Sequence, residues 1–71
     1  MSTEAKMIKQ VMDHMQSGKS VADSMWATAM DIEAAGLAAG WTPDEAVNAK
    51  AVALKFLAGQ CAAAISKAVA A

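Results

Sequence analysis

Residues 40–47, GWTPDEAV, decide how this chain folds. They separate two alanine-rich runs and hold the one proline. Thr42 is a good N-cap, and Pro43 suits the first helical position, where its missing N–H costs nothing. Asp44 and Glu45 set negative charge against the positive end of a helix. Thr42 and Glu45 have capping-box spacing, in which each side chain satisfies the other residue's backbone N–H. Gly40 is a natural stop for the helix before it. The stretch is therefore predicted to be the corner of an αα-hairpin. Trp41 takes the staple position before the cap, but its staple partner, Ala46, is too small to cover an indole. Most of that ring must pack elsewhere.

Downstream of the corner no breaker appears, so a helix is predicted over about 43–69, nearly 40 Å long. Val47, Ala51, Leu54, Ala58, Cys61, Ile65 and Ala68 form its main apolar stripe, with Leu57 alongside. Phe56 lies on the opposite side, among Ala49, Val52, Ala53 and Ala63. Gly59 in mid-helix costs about 1 kcal/mol relative to alanine, tolerable where another backbone comes close. Upstream, a helix over about 21–39 begins at Ser20 as N-cap, with Asp23 in its first turn. Val21, Ala22, Met25, Ala29, Ile32, Gly36 and Ala39 make its core stripe. Trp26, Met30 and Leu37 make a second stripe beside it. Together these cover about half the circumference, more than the ~100° that one core-facing side requires. This helix is expected to touch two things. Gly36 and Gly40 stand at GxxxG spacing, which alanine-rich composition plus a helix stop already explains. A first helix over about 3–17 presents Ile8, Val11, Met12 and Met15 on one face, and Gly18 closes it.

The fold class expected is all-α: one domain over 1–71, a short helix followed by a long antiparallel αα-hairpin. At 71 residues such a chain buries only about 60% of its unfolded surface, so its own core is marginal. One cysteine and one histidine exclude an internal disulfide and a Cys/His metal cluster. Homo-oligomerisation is the remaining source of stability. Hydrophobic residues make up 56% of the chain, and 19 of its positions are alanine. The net charge is −1, with six lysines and no arginine, which argues against nucleic-acid binding. The N-terminal MSTEAKMIKQ lacks a signal pattern, and no apolar run is long enough to span a membrane. A cytoplasmic protein is the expectation.

Few residues offer chemistry. Asp44 and Glu45 are accounted for by capping. His14 sits on the polar side of its helix and is expected to be solvated. Cys61 has no neighbouring cation and reads as inert packing. Two charges stand where the pattern calls for apolar residues, Glu33 and Lys50. A corner centred on Trp41 brings residue 33 opposite 49–50, so these two are predicted to pair. The interface candidates are Trp26, Met30, Glu33, Leu37, Trp41, Lys50 and Phe56. Trp26 and Phe56 are expected to be exposed near one another, and aromatic residues are enriched at contact hot spots. Five methionines beyond Met1 add adaptable apolar surface.

Three functions compete on these features. The first is a non-enzymatic interaction protein, a homodimer or higher homo-oligomer that binds a larger protein to block or bridge it. Small plain chains of this kind are common in phages and mobile elements, so an inhibitor of a host defence is the general type expected, although no residue carries that. The second is an oligomeric sponge for a nucleotide or other small ligand. Helix N-termini attract anions, but Asp23, Asp44 and Glu45 already occupy these. The third is membrane action by the C-terminal CAAAISKAVAA, which has alanine where a membrane-surface helix carries bulky anchors and several cations. The first is the reading expected, with no cofactor, metal, nucleic acid or membrane.

Overall fold

Ser2, Ser20 and Thr42 each open a helix. The Ser2 hydroxyl accepts from the Ala5 N–H at 3.1 Å and the Ser20 hydroxyl from the Asp23 N–H at 3.1 Å. A computed structural model describes residues 2–70, the side chains of 62 and 64–70 excepted. It contains α1 (Thr3–Gln16), α2 (Val21–Ala38) and α3 (Pro43–Ala70). These bounds lie within one residue of those predicted, because the end signals are local hydrogen-bond chemistry. Gly18 and Gly40 both have positive φ, +105° and +98°. Each closes the helix before it as a Schellman motif: at the second, the Trp41 N–H donates to the Gly36 carbonyl at 2.9 Å and the Gly40 N–H to that of Leu37 at 3.1 Å.

The helices form a body of 45 × 22 × 22 Å. α2 and α3 make the hairpin, while α1 packs mainly on α2 and touches α3 only slightly. Among the described residues the buried hydrophobic core is Ala29, Ala46, Ala53 and Leu57. Ser24, Thr28 and Gly36 are buried with them. Small residues at these points let the helix backbones approach closely. No residue of α1 is buried.

This core differs from the predicted one in a consistent way. On α3 the buried line is Ala46, Ala53 and Leu57, with Ala49, Lys50, Leu54 and Phe56 half-buried. The predicted main stripe is rotated by about one residue, 100° of helix. Val47, Ala51 and Ala58 are exposed, and the side chains of Ile65 and Ala68 lie outside the described residues. The side expected to be secondary, with Ala49, Ala53 and Phe56, turns inward. On α2, Val21, Ala22 and Ala39 are exposed, and the unpredicted Ser24 and Thr28 are buried. The reason is that alanine permits either orientation, and the closest helix approach selects the face with the smallest residues. Gly59 has no neighbouring backbone to accommodate; a Cβ there would meet nothing within 4 Å.

Within this core Thr28 is satisfied, since its hydroxyl donates to the Ser24 carbonyl at 2.9 Å. The Ser24 hydroxyl is buried without a partner. An unpaired buried hydroxyl costs on the order of 1–3 kcal/mol, and alanine is the better helix former. Ser24→Ala is therefore expected to stabilise the protein by about 1 kcal/mol, raising Tm by roughly 4–8 °C. Thermal unfolding followed by circular dichroism measures this; a lower Tm in the variant would contradict it.

Candidate functional site

Glu33 and Lys50 lie at the centre of the most conspicuous surface. The corner at 39–42 sets the level of α3 against α2, and the Lys50 Nζ comes to 3.1 Å from the Glu33 Oε2. The predicted pair forms. The side chains are 20% (Glu33) and 24% (Lys50) exposed, so most of each charge is withdrawn from water. Breaking a buried pair from one side strands a charge, whereas replacing both partners with apolar groups is often neutral. Partial exposure scales this down. Glu33→Leu and Lys50→Met alone are each expected to cost about 1–2 kcal/mol. The double variant should return to within about 0.5 kcal/mol of the native protein. Urea denaturation of all four proteins closes the cycle, and additive losses would rule the coupling out.

Around this pair α2 and α3 turn the same kind of residue outward. On α2, Trp26, Met30 and Leu37 flank Glu33 at helical spacings of four, three and four, and they are 53%, 51% and 47% exposed. On α3, Val47, Ala51, Leu54 and Ala58 follow one another at spacings of four, three and four beside Lys50, with Val47 51% exposed and Leu54 half-buried. These residues form one face of the hairpin, and the Glu33–Lys50 pair is its centre.

α1 covers the other face. It lies along the hairpin and leaves two apolar grooves beside α3. One, of about 260 Å³, runs between Ile8, Met12 and Met15 of α1, Met25 of α2, and Leu57 and Cys61 of α3. The second, of about 390 Å³, is lined by Met7 of α1, Ile32, Trp41, and Val52 and Ala53 of α3, with Thr3, Lys6 and Gln10 around it. The apolar stripe of α1 thus faces a groove and is not sealed in a core; Ile8, Met12 and Met15 remain exposed. α1 is tied to α2 at its far end, where the His14 Nε2 lies 2.9 Å from the Asp31 Oδ2. His14, expected in solvent, is half-buried by this contact. Its partner is 17 residues away, beyond the reach of any helical spacing.

The sequence candidates therefore separate. Trp26, Met30, Glu33, Leu37 and Lys50 gather on one face. Trp41 and Phe56 lie elsewhere. The Trp41 indole rests on Gly36, where a Cβ would fall 2.0 Å from its Cε3. Phe56 is half-buried and, by helical spacing, on the side of α3 that α1 covers. The expected exposed pairing of Trp26 with Phe56 is thus replaced by placement on opposite faces. Val47 is exposed although periodicity places it in the core stripe, and Leu54 on the same stripe is half-buried. Ile8, Met12, Met15 and Val21 were missed because an amphipathic stripe signals burial, not the extent of cover.

The corner itself performs no chemistry. The Glu45 N–H donates to Thr42 Oγ1 at 3.2 Å and the Thr42 N–H to Glu45 Oε1 at 3.2 Å, which completes the capping box.

No protein-family model, no curated protein and no solved structure matches the chain.

The electrostatics leave that apolar description intact. Lys9 pairs with Asp13 at 3.2 Å within α1, on the surface. Among the described residues, no three of His, Cys, Asp and Glu come together as a metal site. No described helix is long and apolar enough to cross a membrane.

Proposed function

We propose that this protein is a non-enzymatic helical interaction module that associates with itself and docks on a larger protein, blocking or bridging it. One imbalance supports the reading. Among the described residues four hydrophobic side chains are buried, three of them alanine, while ten large apolar ones are more than a third exposed. Such exposure is characteristic of contact surfaces. The two faces of the hairpin divide the work. The Trp26 face is broad and open. The α1 groove is narrower and rich in methionine, a side chain that adapts to varied apolar partners. The groove is assigned to the larger protein.

The test uses the whole chain as bait in its native extract. A Met12→Lys/Met15→Lys variant should lose a larger protein that the native chain and a Leu37→Lys variant both retain, with binding then measured on the purified pair. Equal retention by the methionine variant would remove the groove from the proposal. If the native bait holds no protein at micromolar concentration, the docking role fails.

The groove of about 390 Å³ beside Trp41 favours a second reading, since small-ligand sites begin near 300 Å³. Its walls are apolar, with Lys6 as the lining cation, which suits a small apolar ligand better than a nucleotide. Titration calorimetry against a ligand panel, with Trp41→Ala as control, separates this from protein docking.

A further inference from the structure

We infer that the face centred on Glu33 and Lys50 pairs with the same face of a second copy, with the two-fold axis running along the hairpin. This rests on the self-association proposed above and names its surface and geometry.

Area and charge both point to a second copy. The chain exposes 4886 Å². A folded monomer of 7.3 kDa is expected to expose about 4,200 Å². The excess over the whole chain, the grooves beside α1 included, is roughly 700 Å², comparable with the ~800 Å² that each partner gives to a standard interface. The centre of the face has no net charge. The central ionised groups, Glu33 and Lys50, are opposite in sign and lie 3.1 Å apart, with Asp23, Asp44 and Lys55 at the flanks of the face. A strongly acidic or basic partner finds no counterpart there, whereas a surface with the same neutral pattern does.

The pair also selects the symmetry. Two hairpins stacked face to face are related by a two-fold axis lying in the interface. If that axis crosses the hairpin, α2 lies on α2 and each Glu33 meets the other Glu33. If it runs along the hairpin, α2 of one copy lies on α3 of the other, and each Glu33 meets a Lys50. Only the second arrangement is electrostatically favourable. Both arrangements make every neighbouring pair of helices antiparallel, as in an up-and-down four-helix bundle, so the charges make the choice.

The apolar residues agree with that choice. Because residue 33 is level with residue 50, each step back along α2 is level with a step forward along α3. Trp26 of one copy then falls within one residue of the level of Ala58 of the other, Met30 of that of Leu54 and Leu37 of that of Val47. The largest side chain meets the smallest. α1 stays on the outer side of each hairpin, and its groove remains open to the larger partner.

Charge exchange tests this. Glu33→Lys leaves two positive groups at the centre of the face, and Lys50→Glu leaves two negative ones. Sedimentation velocity at micromolar concentration should find the native chain dimeric and each variant at least tenfold weaker in self-association. An equimolar mixture of the variants should form a heterodimer. Ala58→Glu, which leaves the Glu33–Lys50 pair intact at an exposed position, should be a folded monomer by circular dichroism, and it decides the matter where the charge variants unfold. Folded single variants that do not associate on mixing would overturn the pairing of this face with itself. A native dimer that survives Ala58→Glu and both charge reversals would place self-association on another surface and leave the general reading standing. A native chain that is monomeric at 100 µM would overturn the inference and the self-association role together, leaving the face to another protein.

Discussion

Leu57→Ala is expected to remove about half the stability of the protein. Leu57 is 3% exposed, and the other buried hydrophobic residues are alanines. It is thus the one large side chain around which the described core closes. Truncating a buried leucine costs about 2–5 kcal/mol. A domain of 71 residues has roughly 4–10 kcal/mol in total. Leu57 also lines the groove beside α1, so collapse of α1 into the vacated space sets where in that range the loss falls. Urea denaturation at fixed protein concentration measures it, because the stability of a dimer depends on concentration. Leu54→Ala, at a half-buried position on the same helix, is the comparison and should lose less. A loss below 1 kcal/mol at Leu57 would mean that the core lies elsewhere.

Gly36→Ala tests the second essential contact, and here two effects oppose each other. Alanine is favoured over glycine within a helix by about 1 kcal/mol. Yet the new methyl would stand 2.0 Å from Trp41 Cε3 and 2.7 Å from Cδ2, which no real contact allows. The indole is held by its own backbone, whose N–H bonds to the Gly36 carbonyl. It cannot slide along the helix and must swing outward. Overpacking of this kind costs about 1–3 kcal/mol. The net expectation is a loss of about 1–2 kcal/mol, with Trp fluorescence shifted to the red as the ring enters water. In a Trp41→Ala background the clash is absent, and Gly36→Ala should then stabilise by about 1 kcal/mol. This change of sign is the decisive result. A Gly36→Ala protein as stable as the native one, with unshifted fluorescence, would show that the ring does not rest there.

The readable features of this chain share a short range. Caps at Ser20 and Thr42, glycine stops at Gly18 and Gly40, and the three helix spans each depend on residues within five or six positions. The Glu33–Lys50 pair was legible for the same reason. A tight corner converts sequence distance into level along the hairpin, so one local motif fixed a contact across two helices. The outward stripe of Trp26, Met30 and Leu37 was legible because three bulky residues recur on one side of α2.

What lay beyond the sequence is how each helix is turned about its axis. In α3 alanine occurs on both sides, so periodicity offers two inward faces about 100° apart. Val47 and Leu54 made the wrong one look stronger. The folded molecule selects Ala46, Ala53 and Leu57 because small residues let α2 and α3 approach, and close approach gains more contact than burying one larger side chain between more distant helices. The position of α1 is likewise tertiary: His14 meets Asp31, and Ile8, Met12 and Met15 border a groove where a sealed core was expected. The sequence by itself determined the elements, their ends and the level of the hairpin, all consequences of local hydrogen bonding. Only the tertiary structure decided which apolar residues are inside and which form the free face, since that depends on the distance between helices, and no short-range pattern encodes it.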